Sequence, residues 1–173
     1  MRFLIYTILL TLLVSFAPVK AMAEVEDGTV VPASVILPLM SWVEMQTGVR
    51  VPNLPPVIAS NEKFSQIIRV LGRSGGRPKA LYTAGTIILD SDEWDPEDST
   101  QLSLLLHELV HHAQSQMRSG SWACAQEKEY QAYTLQNKWL QEKEHTSFIN
   151  VAWIKRLSQC PGGSSSISLA SNP

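Results

Sequence analysis

Three things are scarce in this chain. It has no dense cluster of lysine and arginine, only two cysteines, and no long apolar run beyond residue 17. The first absence argues against nucleic acid as a partner, because phosphate binding needs a basic face. The third argues against a membrane span in the body of the chain, which would take about 20 apolar residues. The two cysteines, Cys124 and Cys160, stand far apart with no second cysteine near either, which disfavours thiolate metal ligation. An even count in an exported chain reads instead as one disulfide. It would close a loop of roughly 36 residues and contribute about 3–4 kcal/mol.

The apolar run is confined to the start. Arg2 gives a short positive segment, Phe3 to Ala17 is almost wholly apolar, and Ala21-Met22-Ala23 is a small-x-small cleavage signal. The expectation is a signal peptide over 1–23, cut after Ala23, and a periplasmic or secreted protein with no stable membrane insertion. The rival, an uncleaved anchor, asks for a longer run. Removing Arg2 and Lys20 takes the charge from 14 − 16 = −2 to 12 − 16 = −4. A domain over 24–160 follows, and the Gly/Ser-rich stretch 161–173 reads as a disordered tail.

Within 24–160, residues 24–34 read as irregular. Val35 to Gln46 reads as a helix stopped by Gly48, with Pro38 tolerable in its first turn. Pro56 to Ala59 reads as a short strand. Asn61 caps a helix through Leu71, with Phe64, Ile67, Ile68 and Leu71 at helical spacing. Arg73 to Pro78 is a loop, and Ala80 to Asp90 a strand or a hairpin bent at Gly85. Asp95-Pro96-Glu97-Asp98 has the composition of a helix start, with Asp95 as cap. That helix runs to about Arg118, a long one covers about Trp122 to His145, and a short one Ser147 to Leu157.

The first of these three helices carries the run HELVHH. His107 and His111 are four residues apart, hence about 40° apart around a helix, and both imidazoles can reach one metal ion. Glu108 beside them can take a proton from a metal-activated water. Leu102, Leu105, Leu106 and Leu109 form the opposite, core-facing side, while Thr100, Ser103 and Gln114 share the ligand side. A catalytic zinc site uses three protein ligands. His112 points about 100° away from His111. On the next helix, Glu129 shares a mostly apolar face with Trp122, Ala125, Ala132, Tyr133, Gln136 and Leu140, whereas Glu127 points to solvent. A carboxylate on a buried face needs a partner, so Glu129 is the expected third ligand, ahead of Glu127.

HELVHH followed by EYQAYTLQ resembles the gluzincin metallopeptidases. The second element is similar to the E-x-x-A-D element of the CAAX prenyl protease and HtpX-type peptidases, matched by Glu129 and Ala132, with Tyr133 where those have aspartate. From about Pro55 to Cys160 the chain also resembles small exported bacterial proteins with a domain of unknown function. The gluzincin resemblance implies an α+β fold, a mainly helical zincin-like minimal domain with a small sheet near the HExxH helix. It implies a Zn2+ held by His107, His111 and Glu129, and a peptide or protein substrate hydrolysed with Glu108 as general base. Tyr133, Tyr130, His112 and Tyr82 are the candidates for stabilising the oxyanion, with Tyr133 on the favoured face. Tyr133 or Gln136 would take the missing aspartate's place in orienting a histidine. The resemblance further implies that strand Thr86 to Leu89 is a sheet edge along the cleft.

No second lobe is evident to close that cleft. Two other readings therefore stand: a non-catalytic zinc-binding or scaffold module of the periplasm, and a peptidase toxin or effector released from the cell. Of the five tryptophans, Trp42, Trp122, Trp139 and Trp153 read as core, and Trp94 as a residue lining the cleft.

Overall fold

The computed structural model describes residues 26–71, 78–117, 122–143 and 149–161. The segment expected to be a leader with its cleavage site, most of the loop after Leu71 and the stretch from residue 162 lie outside the described residues. The elements run β1 (Thr29–Val30), α1 (Ala33–Thr47), β2 (Val57–Ala59), α2 (Asn61–Leu71), β3 (Ala80–Thr83), β4 (Thr86–Leu89), α3 (Ser99–Ser115), α4 (Ala125–Glu142) and α5 (Val151–Leu157). This is the expected α+β class, mainly helical with one small sheet.

The sheet order is β1-β2-β4-β3. β2 and β4 are parallel, joined by a crossover through α2, and the other two pairings are antiparallel. Side chains alternate between faces, as a strand requires. Val57, Ala59, Ala80, Ile87 and Leu89 enter the main core with Leu105, Leu106 and Leu109 of α3. Leu81 and Ile88 turn the other way and pack on Phe64, Ile67 and Ile68 of α2. The sheet thus has α2 on one face and the main core, with α3, on the other. β3 and β4 form a hairpin whose two turn residues, Ala84 and Gly85, have φ of 48° and 82°. Positive φ at both positions is the requirement of the tight turn that follows strand twist.

Several expectations need correction. The segment read as irregular contains β1, and α1 begins at Ala33, so Pro38 falls in its second turn. Proline removes the bond to the Ser34 carbonyl there, and because both residues are exposed, water can replace it. The α2 cap is Ser60, whose Oγ accepts from the Lys63 amide at 3.3 Å, one residue earlier than Asn61. Asp95-Pro96-Glu97 forms a turn before the helix, with Asp95 Oδ1 accepting from the Glu97 amide at 2.8 Å. Asp98 is the actual cap of α3, accepting from Thr100 at 2.7 Å. β4 lies inside the sheet, whose edges are β1 and β3, and β3 is the edge beside Tyr133 and Gln136. Trp94 is 7% exposed in the main core, while Trp153 is 39% exposed.

Cys124 and Cys160 form the expected disulfide, joining the residue before α4 to the segment after α5. Among the described residues, no helix is long and apolar enough to cross a membrane.

Candidate metal centre

α3 packs its leucines on the sheet and turns its opposite side toward α4. The register brings His107, His111 and Glu129 together. The two Nε2 atoms are 3.1 Å apart, and the Glu129 carboxylate oxygens stand 3.4 Å from His107 Nε2 and 3.5 Å from His111 Nε2. Donors bound tetrahedrally to one ion at about 2.0–2.2 Å stand about 3.3–3.6 Å apart. One ligand atom from each residue lies within 4.8 Å of the others, so this group could hold a metal ion. His112, as expected, does not belong to it. Its Nε2 meets the Asn53 carbonyl at 3.1 Å and its Nδ1 the Tyr82 hydroxyl at 3.2 Å.

The surrounding hydrogen bonds settle which way the imidazoles present themselves. Ser103 donates its hydroxyl to the Thr100 carbonyl at 2.7 Å, and its oxygen accepts from Gln136 Nε2 at 3.1 Å. Gln136 Oε1 is left facing His107 Nδ1 at 3.2 Å, and as a pure acceptor it holds the proton there. In the same way Gln114 donates Nε2 to the Lys128 carbonyl and to Gln131, each at 3.0 Å, and turns its oxygen to His111 Nδ1 at 2.9 Å. With protons fixed on both Nδ1 atoms, the two Nε2 lone pairs face one another beside a carboxylate. Such an arrangement of acceptors calls for a cation between them, a metal ion or a proton.

The electrostatics agree. Burial pushes the Glu129 carboxyl upward, but the hydrogen bonds and charges of His107 and His111 outweigh it and hold the group far below the usual carboxylate range. Burial pushes His111 down, and the Glu129 hydrogen bond, the Glu108 charge and Gln114 together raise it above an ordinary histidine. Glu108 itself is buried, lines the cleft, and accepts no hydrogen bond among the described residues. Glu127 lies away from the cleft, its Oε2 taking the Ala123 amide at 2.6 Å at the start of α4.

The group opens into a cleft of about 800 Å³. Its floor is α3 and α4, one side is the edge strand β3, and the other is α5 with Trp153 and Arg156. The expected lack of a far wall is therefore corrected, since α5 supplies one. Tyr133 lies in the cleft with its ring centroid 4.3 Å from that of His107, and Trp153 stands edge-on to Tyr133 at 5.5 Å. Tyr82 also lines it, its hydroxyl engaged with His112 and Ser115. Tyr130 is 43% exposed and outside it.

Helical spacing puts Gln114 and Ser103 on the ligand side of α3 but assigns them no role. The spacing of Gln114 three residues after His111 was the available signal. α5 as a wall had no such signal, since it reaches the cleft only through the tertiary fold. Comparison with curated proteins and with solved structures finds no match. The chain belongs to the family described as a domain of unknown function (DUF6647), whose model matches residues 29–163.

Proposed function

We propose that this chain is an exported zinc-dependent peptidase that hydrolyses peptide bonds. One observation carries the reading: three metal-competent ligand atoms converge in an open cleft, with a second carboxylate, Glu108, beside them and free of hydrogen bonds among the described residues. A site that only holds the fold together closes its metal with protein ligands and needs no spare base. Two imidazoles and one carboxylate suit zinc and leave one position open. The disulfide fits an oxidising compartment, in keeping with the expected leader.

When bound, zinc would supply the Lewis acidity that polarises a carbonyl and makes water nucleophilic near neutral pH. Glu108 takes a proton from the attacking water as its oxygen bonds to the carbonyl carbon, then delivers it to the amine as the C–N bond breaks. Tyr133, beside His107, is the side chain proposed to donate to the developing oxyanion. Gln136 and Gln114 keep both Nε2 lone pairs directed inward. The outer edge of β3 offers backbone groups along which an extended peptide can lie, in the place the sequence reading gave to β4.

The test is cleavage of a mixed peptide library by the zinc-reconstituted protein, read by mass spectrometry beside Glu108→Gln. Cleavage that falls about 10²–10⁴-fold in the variant is expected. Stoichiometric zinc with no cleavage of any peptide would leave the non-catalytic zinc-binding module instead.

A further inference from the structure

The cleft's far wall carries an unused charge. Lys79, on the β3 side, is paired with Glu93. The Asn150 side chain is occupied in capping α5, accepting from the Ala152 and Trp153 amides. Arg156 lines the same cleft, is exposed, and pairs with no carboxylate among the described residues. A basic residue in the last turn of a helix has a bland use in complementing the helix dipole. Lys155 meets that use equally well and does not line the cleft.

The position of Arg156 relative to the metal group can be followed through the aromatic rings. From His107 the path runs 4.3 Å to Tyr133 and 5.5 Å to Trp153, between ring centroids. Arg156 follows Trp153 by three residues, so the two side chains share one face of α5. An extended peptide that runs from the metal group past Tyr133 and Trp153 would pass the guanidinium on the α5 wall of the cleft. The acids of the cleft, Glu108 on α3 and Glu129 on α4, belong to its floor and, among the described residues, form no ion pair with Arg156. A guanidinium presents a planar fork of donors that matches a carboxylate bidentately.

Resting on the peptidase reading, we propose that Arg156 determines specificity by anchoring a carboxylate of the bound peptide, while Trp153 beside it packs on an apolar part of the same ligand. The carboxylate can be an acidic side chain or the free C-terminus, and the two chemistries are separable by experiment.

The experiment measures binding of fluorescent peptides to the zinc-loaded Glu108→Gln protein, so that it does not depend on turnover. Peptides differ at single positions by Asp or Glu against Asn or Gln, and by a free against an amidated C-terminus. Carboxylate-bearing peptides are expected to bind about tenfold more tightly. The further change Arg156→Gln should abolish that preference, Arg156→Glu should reverse it toward lysine-bearing peptides, and Arg156→Lys should keep part of it. Loss of preference between acid and amide side chains identifies a side-chain anchor, and loss between free and amidated ends a terminal one. Equal binding of all peptides, or a preference that survives Arg156→Gln, would overturn the proposal. Hydrolysis of library peptides by the intact protein would leave the peptidase reading standing in either case. Absence of any hydrolysis would count against that reading separately.

Discussion

Gln136, fully buried on α4, turns its side-chain oxygen to His107 Nδ1 on α3 at 3.2 Å. In the proposed metal site this contact would take the place of the carboxylate that often orients a metal-binding histidine, with Ser103 holding the amide end of Gln136. A neutral amide orients the ring without adding charge, so most of the charge at the site comes from Glu129 and Glu108.

The consequence is a measurable dependence of metal affinity on Gln136. Gln136→Ala should weaken binding about 10–100-fold while the metal stoichiometry at saturation stays the same. Competition against a chelator of known affinity checks it. Unchanged affinity would mean that the ring is oriented by its packing against Tyr133 alone.

The disulfide holds together α4, which supplies Glu129, and α5, the cleft wall. Replacing Cys124 and Cys160 together by serine should lower stability by about 3–4 kcal/mol for a loop of 36 residues. Denaturant unfolding of the oxidised protein and the double variant measures it. A loss well below 1 kcal/mol would indicate that α5 is held by packing of Ile154 alone.

Asp27 receives the Ser60 and Ser91 hydroxyls and the Asn61 amide, tying the segment before β1 to the start of α2 and to the turn after β4. Slight desolvation pushes its pKa up, and these hydrogen bonds push it further down, to a net value below the ordinary 3.8. A depressed carboxylate pKa contributes stability that is fully present above the ordinary value and is lost as pH falls through the folded-state value. The stability gap between the intact chain and Asp27→Asn should therefore be constant above about pH 5 and shrink toward acid. A gap that widens as pH falls would contradict the assignment.

Helices were the readily legible part of the sequence. The leucines of α3 and the apolar face of α4 recur at helical spacing, and burial enforces that spacing, so the element types and the inward placement of Glu129 followed from it. Their ends were less legible, because Asp95 and Asp98 are both good caps and only packing against the sheet selects Asp98. The sheet order was out of reach. Ala80 to Thr83 and Thr86 to Leu89 are both short and apolar, and what puts β4 inside and β3 at the edge is the parallel pairing with β2, set through α2. Trp94 and Trp153 were exchanged for the same reason, since exposure of a lone aromatic depends on what packs over it.

His107, His111 and Glu129 are proposed to form one metal centre. The direct test is metal content of the purified, zinc-reconstituted protein beside Glu129→Ala and Glu127→Ala. Near-stoichiometric zinc in the intact protein and in Glu127→Ala, with loss in Glu129→Ala, is the expected result. Glu127→Ala should show only a stability loss of about 1 kcal/mol from its broken contact at the start of α4. No zinc in the intact protein, or zinc retained at full affinity without Glu129, would contradict the account.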